Sequence, residues 1–291
     1  MFDQVRQFTH MFRELENQER AVNREDQKRG ERLRQALSTS VETVQYSYQL
    51  HRYVLVIASF YPQAGASFIA GNLAYYQAGK RVPVVLCEPP AGQPYYYFAL
   101  DGEVRAESGN RLHNHTEKII TMQDGYLRVK ANTPYDQKPN AFPEITSWLL
   151  GNSKDASLLI VDISSCWKGE TASWIMDMAD EIWFVLDTDV PRFARTILTE
   201  EAPKAWNESG KKVRLIANRW DQAIAKVDLM KKMEGTLSYW NHNQIIKQID
   251  MLIPAVSGEK IMNAHAKAKL LLEMYPEEEN MFGQMSSLLE V

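Results

Sequence analysis

The chain has 291 residues, 45% of them hydrophobic, with a formal net charge of −4 and an isoelectric point near 5.9. That is enough apolar material for one large domain with its own core, and the acidic balance gives no general attraction to nucleic acid or anionic lipid. No run of about 18 apolar residues occurs, and Met1-Phe2-Asp3-Gln4-Val5-Arg6 lacks the apolar core of a signal peptide, so a soluble, cytoplasmic chain is expected.

Residues 1–50 read as a helical arm. They contain a single glycine and no proline, and Phe2, Val5, Phe8, Phe12 and Leu15 recur at three- and four-residue steps. The charges beside them, such as Arg13, Glu14, Glu19 and Arg20, mix both signs, which suits docking on protein better than lying on a membrane. This apolar stripe is the candidate partner-binding surface. Packing on the chain's own domain is the alternative.

From Tyr53 onward, apolar runs alternate with helical patterns, the signature of a doubly wound, mostly parallel α/β sheet. Strands are predicted at Tyr53–Ser59, Val82–Cys87, Tyr126–Lys130, Ser157–Ile163, Glu181–Leu186 and Val213–Asn218, with a short seventh at Met251–Ile253. Helices are predicted at Ser67–Gln77, Phe142–Leu150, Thr171–Met178, Arg192–Glu208 and Val227–Asn241. The domain is placed at residues 51–275, with a helical tail at 276–291. Ligands of such sheets bind beyond the carboxyl ends of the strands.

The first strand runs into Phe60-Tyr61-Pro62-Gln63-Ala64-Gly65-Ala66-Ser67 and then into a helical pattern. In a phosphate-binding loop of this strand–loop–helix form, backbone N–H groups close around phosphate, a Lys supplies a cation and a Ser or Thr hydroxyl holds Mg²⁺. Gly65 and Ser67 fit that pattern, but Ala66 stands where the lysine belongs. Cys87 and Cys166 follow two predicted strands and read as reduced thiols. His113 and His115 read as part of a solvated loop rather than a metal site, and Tyr95-Tyr96-Tyr97-Phe98 reads as a core or partner-facing aromatic strip. Met281, Phe282, Met285, Leu288 and Leu289 have helical spacing without basic residues, which favours packing or protein contact over membrane insertion.

Over residues 52–273 the chain resembles the MinD/ParA group of P-loop ATPases. Phe60–Ala74, ending in Asn72-Leu73-Ala74, is similar to that group's deviant Walker A loop and helix. Lys80–Leu86 is similar to its second strand, followed by Pro90-Ala91-Gly92. Leu158-Leu159-Ile160-Val161-Asp162 is similar to its Walker B strand, Asp180–Leu186 to the next strand, and Leu215–Arg219 to the strand whose Asn-Arg reads adenine. The resemblance implies a nucleotide site at Gly65, Ala66, Ser67, Asp162 and Asn218, with Ser67 and Asp162 as Mg²⁺ ligands if nucleotide binds.

Against that group, both loop lysines are missing. Their positions read Ala66 and Tyr61, with Pro62 and Gln63 in place of glycines between them. The catalytic Asp after the second strand maps to Cys87 or, shifted by one, Glu88. The switch that normally follows Asp162 reads Ile163-Ser164-Ser165-Cys166, without its glycine. Such losses remove the cations that phosphoryl transfer requires, so no catalytic residue and no resident cofactor are expected, and ATP with Mg²⁺ would bind weakly if at all. Gly65-Ala66-Ser67 is similar to the TadZ/CpaE branch, which implies a positioning or scaffold protein for a pilus- or secretion-type machine, with protein partners in a membrane-associated assembly that recruits it to the inner face of the membrane. Direct membrane binding and nucleic acid are not expected, and a homodimer stays open. The alternatives are an ATP-dependent MinD/ParA-type switch and a DNA-partition factor.

Overall fold

Seven apolar runs and one more polar run become strands. In the computed structural model, residues 52–90, 92–106, 117–134, 142–154, 156–207, 210–221, 226–240 and 248–289 are described. Phe2, Val5, Phe8, Phe12 and Leu15, like His113 and His115, lie outside the described residues. The strands are β1 (Tyr53–Ser59), β2 (Val84–Cys87), β3 (Glu117–Met122), β4 (Leu127–Asn132), β5 (Leu158–Ser164), β6 (Glu181–Leu186), β7 (Lys212–Trp220) and β8 (Met251–Pro254). They form one sheet in the order β3-β4-β2-β5-β1-β6-β7-β8. Every neighbouring pair is parallel except β3 with β4.

The expected mostly parallel α/β sheet is therefore present. Its central strands are covered on both faces, which is why β1, β5 and β6 are nearly unbroken apolar runs rather than alternating ones. Leu55, Val56, Ile57, Ile160, Val161, Trp183 and Phe184 are all fully buried. β2 begins at Val84 rather than Val82. Pro83 has no N–H for the ladder, and pairing starts with the Val84 N–H on the Tyr126 carbonyl (2.7 Å).

β3 has no counterpart among the strands expected from the sequence. It pairs with β4 alone, through the turn Gln123-Asp124-Gly125, in which all three residues have positive φ. An antiparallel edge strand needs only one apolar face, so Glu117-Lys118-Ile119-Ile120-Thr121-Met122 lacks the long apolar run of its parallel neighbours.

The helices are α1 (Ala66–Gly79), α2 (Tyr95–Ala99), α3 (Gly102–Arg105), α4 (Phe142–Ser153), α5 (Glu170–Met178), α6 (Val190–Thr199), α7 (Lys204–Asn207), α8 (Lys226–Leu237), α9 (Gly258–Ala266), α10 (Leu271–Met274) and α11 (Glu279–Ser286). The helix expected over Arg192–Glu208 is divided into α6 and α7. Glu200 leaves the helix with extended φ/ψ, and Pro203, which cannot donate, stands just before α7. The tail residues Met281, Phe282, Met285 and Leu289 are buried. Phe282 lies 6.1 Å from Phe68 of α1, and Gln77 of α1 donates to the Ser286 hydroxyl (3.0 Å).

At the amino end of β6, Glu181 is fully buried and held by Tyr53, Trp183, Lys212 and Arg214. These partners hold its carboxyl below the ordinary carboxylate range against the opposing effect of burial, the largest single influence on it. The cluster ties β1, β6 and β7 together at the end of the sheet away from the loops described next. No helix among the described residues is long and apolar enough to cross a membrane.

Candidate functional site

The carboxyl ends of β1, β2, β5, β6 and β7 bring their loops to one edge of the sheet. The loop Phe60–Gly65 leaves β1 with the Phe60 N–H on the Val185 carbonyl (3.2 Å) and enters α1 with the Gly65 carbonyl accepting from Ile69 N–H (3.0 Å). Gly65 is required for two reasons. Its φ of 105° disfavours a side chain, and an added Cβ would lie 2.1 Å from the Asn218 amide nitrogen. Asn218, buried at the end of β7, donates from Nδ2 to the Ala64 carbonyl (2.9 Å), so its side chain closes down on the loop.

Neither lysine position points a substitute cation into the loop. Ala66 is 3% exposed and Tyr61 4%. The Tyr61 hydroxyl donates to Asp187 Oδ1 (2.7 Å) beyond β6, the Arg192 guanidinium lies 4.9 Å from its ring centroid, and Arg219 approaches the other Asp187 oxygen (3.6 Å). Burial, with the charges of Asp187 and Asp189 adding to it, holds the Tyr61 phenol protonated far above its ordinary range. Phe60 is stacked on Phe184 (5.0 Å) and surrounded by Phe193, Trp206 and Trp240. The loop is therefore anchored by aromatic packing beneath it.

Asp162, near the carboxyl end of β5, is buried and accepts hydrogen bonds on both oxygens. Its Oδ1 accepts from the Ser164 N–H (2.9 Å) and the Ser164 hydroxyl (3.0 Å). Its Oδ2 accepts from the Tyr96 hydroxyl (3.0 Å), which also lies 3.2 Å from the Ser67 carbonyl oxygen. The Ser67 hydroxyl is 2.9 Å from that of Ser164. Burial raises the Asp162 carboxyl, while hydrogen bonds from Ser67, Tyr96 and Ser164 pull it back. Ser164 and Arg219, at the carboxyl ends of β5 and β7, and Gln63, on the loop after β1, all have positive φ, a concentration of backbone strain typical of functional or over-determined sites.

Glu88, after β2, is 3% exposed. Its Oε1 accepts the Tyr96 N–H (2.8 Å) and its Oε2 the Asn132 N–H (3.0 Å), so both oxygens serve backbone amides. Burial, reinforced by the charge of Asp162, pushes its carboxyl up to about 8 despite those donors.

All five residues expected at the site, Gly65, Ala66, Ser67, Asp162 and Asn218, meet at this edge. Tyr96 and Ser164 complete it, and neither is among the residues expected there from the sequence. The aromatic run after the second strand marks a region of interest, but nothing in four consecutive rings says which one turns inward.

A glycine-turned loop between β1 and a long helix, an aspartate near the carboxyl end of the adjacent β5 and an asparagine near that of β7, on a sheet of this order, define the P-loop α/β fold of the MinD/ParA type. Among solved structures, a ParA-family ATPase from Chlorobium tepidum matches with a TM-score of 0.55 at 15% identity, over 82% of this chain and 100% of that one. A chain of the MinC:MinD cell division protein complex of Aquifex aeolicus matches at 0.57 and 16% identity, over 81% and 95%. The septum site-determining protein MinD of Pyrococcus horikoshii, complexed with Mg-ADP, matches at 0.57 and 12%, over 82% and 96%. No protein-family model and no curated protein matches the sequence.

Proposed function

We propose that this chain uses the MinD/ParA-type fold as a docking module that does not hydrolyse nucleotide, and that it positions or scaffolds a larger assembly of the pilus or secretion type at the inner face of the membrane. One observation carries the reading: the loop holds no cation. Ala66 is buried, and Tyr61 is committed through its hydroxyl to Asp187. Phosphoryl transfer depends on positive charge held against the transferring group, and a loop without lysine leaves that charge to backbone dipoles and Mg²⁺. The residues that remain fit Mg²⁺ and nucleotide poorly. Asp162 already accepts hydrogen bonds on both oxygens, the Ser67 hydroxyl faces Ser164, and the Asn218 amide donates to the Ala64 carbonyl. The Pyrococcus MinD binds Mg-ADP and the Aquifex MinD binds MinC. Of these two properties the proposal carries over protein association and not the nucleotide.

Isothermal titration with ATP and Mg²⁺, run beside a phosphate-release assay, tests this. The expected result is no saturable heat and no phosphate above background. Tight binding with measurable turnover overturns the proposal in favour of an ATP-dependent switch.

A further inference from the structure

The run Tyr95-Tyr96-Tyr97-Phe98 forms a single short helix, α2, that divides its rings. Tyr96 is wholly buried, while Phe98 is 65% exposed. Tyr96 is tied at both ends, by its N–H to Glu88 and by its hydroxyl to Asp162. Its ring passes close to α1, where a Cβ on Gly71 would come within 3.5 Å of it. The chain beyond α2 is fastened as well. Arg105 donates to Glu273 (2.8 Å) and to the Ala268 carbonyl (2.8 Å), and the Leu272 N–H donates to Asn72 of α1 (3.1 Å). Tyr96 is therefore held against Asp162 by its hydroxyl, by its backbone N–H on Glu88 and by the packing of its buried ring.

A hard divalent cation needs carboxylate oxygens with free lone pairs and room for about six oxygen ligands. Around Asp162 that room is taken by the phenol on one side and Ser164 on the other. A hydroxyl donating to a buried carboxylate is among the stronger neutral-to-charged hydrogen bonds, and losing it would leave the carboxylate short of a partner.

We infer that Tyr96 is an internal occupant of the carboxylate site, its hydroxyl standing on Asp162 in place of an external ligand, so that no cation reaches Asp162 while α2 is seated. This rests on the reading of a non-hydrolysing module and deepens it, because exclusion by a seated side chain is separate from the missing lysines.

The test uses the full chain and Mn²⁺ alone as probe, followed by electron paramagnetic resonance. Wild type is compared with Tyr96→Gly and Tyr96→Leu, each with and without Asp162→Asn, after circular dichroism has established folding. Leucine keeps an apolar side chain on α2 and vacates the outer ring atoms beside Gly71 together with the hydroxyl, so it decides the matter if the glycine variant does not fold. The expected result is Mn²⁺ binding at least tenfold tighter in the Tyr96 variants than in wild type, abolished by Asp162→Asn. Folded variants with no gain, or wild type binding Mn²⁺ equally tightly through Asp162, overturn the inference. Phosphate release by wild type counts against the proposed function and leaves the Mn²⁺ comparison intact.

Discussion

Glu88 shows what a single side chain can conceal. In sequence it stands one residue from the position of a water-directing carboxylate, yet its two oxygens bind the amides of Tyr96 and Asn132. A carboxyl that titrates near 4.5 when unfolded and about 8 when folded holds more protons in the native state between those values. Stability therefore falls as pH rises across that window, by at most about 1.4 kcal/mol per pH unit for one group. Asp162, also raised, acts in the same direction. Urea unfolding at pH 5.5, 6.5 and 7.5 should show this decline in wild type and a flatter one in Glu88→Gln. The glutamine carbonyl keeps one amide but its NH₂ group faces the other, so the variant should start roughly 1–2 kcal/mol less stable at pH 5.5.

Among the elements, α11 and α2 contrast a pattern that settles its own placement with one that does not. The three- and four-residue spacing of Met281, Phe282, Met285 and Leu289 marks one apolar face, and that face is buried, Phe282 lying against Phe68 of α1. Phe282→Ala should cost about 3–5 kcal/mol in chemical denaturation. Met262→Ala on α9, where the side chain is 68% exposed, should stay within about 0.5 kcal/mol of wild type. α2 has no polar position among its first four residues, so periodicity cannot orient it. The α6–α7 break is likewise local chemistry overriding helical spacing, since Pro203 cannot continue the hydrogen-bond pattern.

For the whole molecule, the MinD/ParA-type sheet places five loops at one edge, and the proposed function depends on that edge being closed independently of nucleotide. Sedimentation velocity should then give the same distribution with and without ATP and Mg²⁺, whatever the oligomeric state. A nucleotide-dependent shift would support the switch reading, because a subunit interface that answers to nucleotide requires a site that holds it.

The sequence by itself determined the seven apolar strands, the parallel class of the sheet and the loop with its missing lysines, because strand burial, glycine turns and lost charges are written locally. Gly65 and Ser67 could be placed with Asp162 and Asn218 because the first two follow one apolar run and the other two lie at the ends of later ones. Only the tertiary structure decided what their side chains do. β3 was hidden because an edge strand buries a single face. The roles of Tyr96, Ser164 and Glu88 were hidden because each depends on a partner between 2 and 66 residues away along the chain, held at hydrogen-bond distance by the fold. Spacing along a chain reports which face a residue occupies, and not which buried carboxylate its hydroxyl will meet.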